Sequence, residues 1–263
     1  MVWLTSQSLG LLVAGCLAIA VLAAVGSRFA VRSLVPQSDR EGVHAVAAPL
    51  MPPLGAAFAI LAALTLASEA GYLTSANEIV SNEAADSSRL AWAATMPEIR
   101  SAPIQARLAT YLRVTRAYEW RGASAAEGED PPTLQALAQL ERVVRAQDAR
   151  PELGTPTSSE LLTALDSLTN DRRARLAAAS RDLPTFYVIT LAVSGLALIA
   201  GAAALTIRAR GRVALLIGGL TVVVGLSMAL ILVLANPWRG TTFVSGHPVD
   251  VVLHDLGTGY FRR

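Results

Sequence analysis

Four stretches of this chain run for roughly 20 residues without one charged side chain, the length that carries a helix across a hydrocarbon core of about 30 Å. They lie at about 9–26, 49–68, 183–207 and 213–235. No water-soluble core needs so many uninterrupted apolar runs, and only a helix or a closed barrel satisfies its backbone in lipid. Hydrophobic residues make up 53% of the 263 residues and charged ones 16%, with a mean hydropathy of +0.46. The expected fold is therefore all-α: a polytopic membrane protein with four transmembrane helices. The residues ahead of the first run, "MVWLTSQS", hold no Lys or Arg. A secretory leader normally opens with positive charge, so the first run is expected to be a retained span.

The spans divide the chain. Residues 1–68 read as a transmembrane hairpin, 69–182 as a helical extramembrane domain, 183–235 as a second hairpin and 236–263 as a C-terminal tail with one short strand or helix. Inside 69–182, Gly122–Pro132 and Ala149–Ser159 concentrate Gly, Pro, Ser and acids and read as loops. The remaining blocks carry helical stripes. One aligns Tyr72, Ala76, Ile79 or Val80, Glu83 and Leu90; another aligns Leu108, Tyr111 or Leu112, Thr115 and Glu119. A third aligns Leu161, Leu165, Leu168, Arg172, Leu176, Ala179 and Leu183, and a short fourth runs from Thr133, an expected N-cap, through Val144. Arg28, Arg32 and Arg40 follow span one, and Arg208, Arg210 and Arg212 separate spans three and four. By the positive-inside rule both short loops are expected to be cytoplasmic, with the central domain outside.

Several chemistries are excluded or left without a signal. The net charge is +2, yet no cationic block with interleaved aromatics tracks a nucleic-acid backbone, so no nucleic-acid partner is expected. Cys16 is the only cysteine and lies inside span one, which rules out an intramolecular disulfide. The chain has no Lys, hence no P-loop or Schiff-base lysine, and the common hydrolase and zinc signatures are missing. No enzyme activity, cofactor or metal is expected. His44, His247 and His254 are too scattered for a metal face, and the acids Glu127, Glu129 and Asp130 lack the spacing of a calcium loop.

One constellation stands out. Glu83, Glu119 and Arg172 occupy positions where the helical period calls for apolar side chains, and Arg175 lies one turn beyond Arg172. A buried unpaired charge is expensive, so the four are expected to pair. The cluster reads either as a clamp fixing the register of three helices or as a polar constriction on an ion path. Thr65, Ser68 and Glu69, at the lower edge of span two, are candidate pore-lining residues, although a span-end acid also suits the headgroup region. Small residues along the spans, Ala14, Ala18, Gly195, Gly201, Gly218, Gly219 and Gly225, permit close helix packing within or between subunits.

The motifs "VSNEAADSSRLAWAATMP", "YLRVTRAYEW", "RRARLAAASRDLP" and "NPWRG" resemble those of the bacterial bestrophin-like family, over nearly the whole chain. The residues carrying the resemblance are Glu83, Tyr111, Glu119, Trp120, Arg172, Arg175, Pro237, Trp238 and Gly240. Span two is poorer in large aromatics than is usual there, and neither an aromatic neck nor a calcium clasp is evident. The resemblance implies a homo-oligomer in the lipid bilayer that conducts small ions, anions by kinship. The competing reading is a non-conducting membrane scaffold or sensor that binds a partner through its helical domain.

Overall fold

The computed structural model describes residues 9–120, 130–181, 184–206, 212–235, 237–238 and 244–261. Among them it has eight α-helices and no strand: α1 (Leu9–Leu34), α2 (Arg40–Ala93), α3 (Ser101–Tyr118), α4 (Pro131–Asp148), α5 (Thr155–Ala179), α6 (Thr185–Leu205), α7 (Arg212–Leu234) and α8 (His247–Thr258). Four of them, α1, α2, α6 and α7, are long and apolar enough to cross a membrane. The 21 residues of α6 span about 32 Å at 1.5 Å per residue. The chain divides into two compact units, Met1–Gly71 with Asp182–Asn236, and Tyr72–Arg181 with Pro237–Arg263.

In the first unit, α1 packs on α6 and α7, which pack on each other. Phe58, Leu191, Leu198, Ile199, Val224 and Ile231 form the interior. Large apolar side chains point outward instead of inward: Ile19 is 69% exposed and Phe29 75%. That is the pattern of helices whose solvent is lipid, where close packing replaces the hydrophobic effect as the force between helices. At Gly225 a Cβ would sit 3.0 Å from the Leu17 side chain and 3.3 Å from its Cα, and at Gly195 one would sit 2.9 Å from Val224. Gly218 and Gly219, in contrast, face open space.

Two boundaries differ from the sequence reading. Span one continues to Leu34, so Arg28 and Arg32 ride on the helix and not in a loop. Nothing breaks the helix before Pro36, and a long cationic side chain at a span end can reach toward the headgroups. Span two belongs to a helix of 54 residues that begins at Arg40 and passes through Pro49, Pro52 and Pro53, a length of about 80 Å. Proline is tolerated inside membrane helices where neighbours and local adjustments satisfy the freed carbonyls.

The second unit is built around an aliphatic helical core. Its helices bury one stripe each: Ile104, Leu108, Tyr111, Leu112 and Thr115 of α3, Ala136, Leu140 and Val144 of α4, and Leu161, Leu165, Leu168, Arg172 and Ala179 of α5. Helix α4 starts at Pro131 with Asp130 as N-cap, three residues ahead of the expected N-cap Thr133, because proline's fixed φ suits the first helical position. The segment read as a tail with one short strand or helix supplies α8, which packs on α3. Val249, Val252, Leu256 and Phe261 join the core of this unit, and Phe261 meets Trp92 edge to face at 5.2 Å.

Candidate functional site

Three helices of the second unit converge on a buried group of charges. Glu83 comes from α2 and Glu119 from the C-cap of α3, while Arg172 and Arg175 occupy successive turns of α5. Glu83, Glu119 and Arg175 have no exposed side-chain surface, and Arg172 is nearly as buried. Arg175 donates from Nε to Glu83 Oε2 at 2.6 Å and from Nη2 to Glu83 Oε1 at 3.4 Å. The same Nη2 reaches Glu119 Oε2 at 3.1 Å, and Nη1 donates to the Glu119 carbonyl at 3.2 Å. Arg172 Nη2 extends the chain of charges by donating to Glu119 Oε1 at 2.5 Å. Two carboxylates and two guanidiniums cancel, so the group holds no net charge.

Aromatic residues complete it. The Tyr111 hydroxyl donates to Glu83 Oε1 at 3.3 Å, and Trp120 lies under the Arg175 guanidinium at 5.4 Å. Burial would push the Arg175 guanidinium down, but the Glu83 and Glu119 charges outweigh it and hold it above its ordinary range. Burial first, and the Glu83 charge second, push the Tyr111 phenol up despite the opposing arginines. Tyr111 therefore stays a neutral donor, which is the form its bond to Glu83 requires.

Trp120 also ties in the C-terminal segment. Its indole N–H donates to the Val244 carbonyl at 3.3 Å, and its ring meets Trp238 at 6.3 Å. The Val244 N–H donates to the Pro237 carbonyl at 2.9 Å. Gly240 lies outside the described residues. Arg116 stacks on the same Trp120 at 4.8 Å and grips Asp250 of α8 through two bonds at 2.7 and 2.8 Å. That link went unread in the sequence, where Asp250 is one acid in a Gly-rich segment.

Also missed was a carboxyl pair beside the charged group. Helices α2 and α5 run antiparallel: Tyr72 bonds the Ala178 carbonyl, Glu83 bonds Arg175, and Arg89 bonds Glu160. This register sets Asp86 against Asp171. Partial burial, then the hydrogen bond and charge of Asp86, raise the Asp171 carboxyl to about 6. The spacing that could have flagged it is Asp86 three residues after Glu83 and Asp171 four before Arg175.

The candidate lining residues separate. Thr65 and Glu69 are buried and Ser68 is exposed. The Thr65 hydroxyl turns back to the Leu61 carbonyl at 2.8 Å. No group of three or more metal-ligating side chains occurs among the described residues.

A chain that is helical throughout its described residues, with four membrane-length helices among them and a buried, neutral Glu–Arg group beside Trp120, has clear relatives. The family model of the Bestrophin-like domain matches residues 18–249, and the chain belongs to that family. A crystal structure of a mutant bacterial bestrophin homologue from Klebsiella pneumoniae is similar at a TM-score of 0.67 and 12% identity, over 92% of this chain and 97% of that one. A second mutant of that homologue gives 0.66 and 12%, over 93% and 97%. A crystal structure described only as a membrane protein with one substitution gives 0.66 and 13%, over 94% and 96%. At such identities the likeness shows a shared fold. A search of the curated proteins finds no match.

Proposed function

We propose that this chain is one subunit of a homo-oligomeric ion channel whose water-filled path runs along α2. The observation that carries the reading is one face of that helix. Ile60, Leu64, Ala67, Gly71, Thr74 and Glu78 follow one another at spacings of three and four, and all are exposed in the single chain. The stripe passes from apolar and small to polar, and Ser68 borders it. Thr65 and Glu69, buried within one subunit, stand behind the lining in this reading. A scaffold has no need of such a stripe, whereas a channel must have a route for water and ions.

Kinship alone implies anions, but the charge along α2 favours cations. On the exposed stripe the charged residue is Glu78, and no Arg or Lys lies on it. Rings of acid select cations. The buried Glu–Arg group acts as a clamp that sets the register of α2, α3 and α5, with Trp120 joining the C-terminal segment to it. It is buried, neutral and internally bonded, unlike a constriction that must exchange water for ions.

Liposomes containing the purified protein test this by flux under opposed potassium and chloride gradients. Conduction with potassium ahead of chloride is expected, with the preference reduced in Glu78→Gln. Chloride ahead of potassium would return the reading to an anion channel, and absence of any flux would favour the scaffold or sensor.

A further inference from the structure

We propose that the path along α2 holds a binding station for a partly dehydrated monovalent cation, formed by the main-chain carbonyls of Ala45, Ala48 and Pro49; the inference rests on the channel reading and gives that path its ligand chemistry. Pro49, Pro52 and Pro53 lie inside the helix, and proline brings no N–H to the i→i−4 ladder. The carbonyls four residues earlier, those of Ala45, Ala48 and Pro49, thus lose their helical donors. Pro49 loses most, because Pro52 and Pro53 fill both its i+3 and its i+4 positions and remove the 3₁₀ alternative as well.

The three carbonyls share one face. Ala48 and Pro49 follow Ala45 by three and four residues, and all three are exposed in the single chain, as are Pro52 and Pro53. From Pro49 the same spacing runs through Pro53 and Ala56 to Ile60, where the exposed stripe of the path begins. The opposite face of these turns does the packing: Met51 and Leu54 lie against Gly201 of α6, and Phe58 lies against Gly195 within the interior of the first unit. Hydrocarbon cannot receive the carbonyl face, because irregular backbone persists at membrane depth only against protein or a water-filled cavity. The small side chains of Ala45, Ala48 and Ala56 leave the main chain within reach from that cavity. Carbonyl dipoles replace part of a cation's hydration shell and offer an anion no donor. A homo-oligomer repeats the set around the path, and the absence of formal charge on it suits a monovalent ion.

Two measurements on the full-length protein test the station, each comparing wild type with Pro53→Ala and Pro53→Leu, which restore the N–H owed to the Pro49 carbonyl with side chains of different bulk. The first is potassium flux into liposomes as a function of potassium concentration. Both variants should raise the concentration of half-maximal flux equally, by about tenfold, the lower end of what one bond to a charged group is worth. The second is infrared spectroscopy in detergent of protein isotopically labelled at the proline carbonyls, titrated with potassium chloride or with N-methylglucamine chloride. Wild type should show a labelled band that shifts with potassium and not with the bulky cation, and both variants should lose that shift. Circular dichroism should show helix content unchanged or higher, since alanine and leucine are strong helix formers. The station is overturned if both variants conduct and shift as wild type does, or if the two variants differ in flux while the shift persists, which assigns the prolines to packing. Wild type that carries no flux yet shows the potassium-dependent shift defeats the channel reading and keeps the station; flux without the shift does the reverse.

Discussion

The two units bury opposite things. In the first, glycines and alanines sit at the helix contacts while Ile19, Leu22, Phe29 and Val193 face outward. In the second, Arg107 and Arg113 face outward, and the interior holds two glutamates and two arginines within an aliphatic core. Lipid gives no reason to hide apolar surface, so the first unit depends on how closely its backbones approach. The second hides its apolar side chains in one core and also buries ions, each carboxylate oxygen of Glu83 and Glu119 meeting a guanidinium, as a buried charge requires.

The contrast breaks most sharply at Arg175. Replacing it with Met strands the Glu83 and Glu119 charges inside the core and should cost the second unit about 3–5 kcal/mol, read as loss of cooperative thermal unfolding by circular dichroism. Arg175→Lys should rescue little, because a single ammonium cannot reproduce the guanidinium's bonds to Glu83 and to both the side chain and the carbonyl of Glu119. A next and smaller effect belongs to the first unit. Gly225→Leu forces α1 away from α7 and should cost about 1–3 kcal/mol, with Gly218→Leu, which meets open space, as the tolerated control in the same detergent melt.

The smallest effect sharpens the electrostatic side. The Asp171 carboxyl titrates near 6 in the folded chain, against about 3.9 for a free aspartate. The folded state then holds its proton more tightly than the unfolded one. Its contribution is fully present below about pH 4 and is lost as pH rises through 6. Asp171→Asn should flatten that slope and stabilise the second unit at pH 7 by about 1 kcal/mol after solvent screening. A melting temperature that is equally pH-dependent in wild type and variant would locate the titration elsewhere.

Much of this was legible along the chain. The apolar runs are long enough to announce spans, and the stripes of α3 and α5 show Glu119 and Arg172 where leucine would be expected. The full extent of α2 was harder, because three prolines suggest a start where the helix in fact continues. Asp86 and Asp171 lie on the margins of their stripes, so periodicity leaves them unremarked. The C-terminal segment is short and rich in glycine, and it acquires a defined place through Asp250, Trp238 and Phe261, each of which contacts a distant part of the second unit.

The sequence by itself determined the helical class, the number of membrane-length runs and the residues that must answer for charge on a buried face. These follow from a local period of 3.6 residues and from the thickness of a bilayer. Only the tertiary structure decided which ions meet, since Glu83 and Arg175 are 92 positions apart and depend on the register of antiparallel helices. It also decided which glycines close a contact and which face open space, because that rests on the approach of a neighbouring helix and not on the glycine.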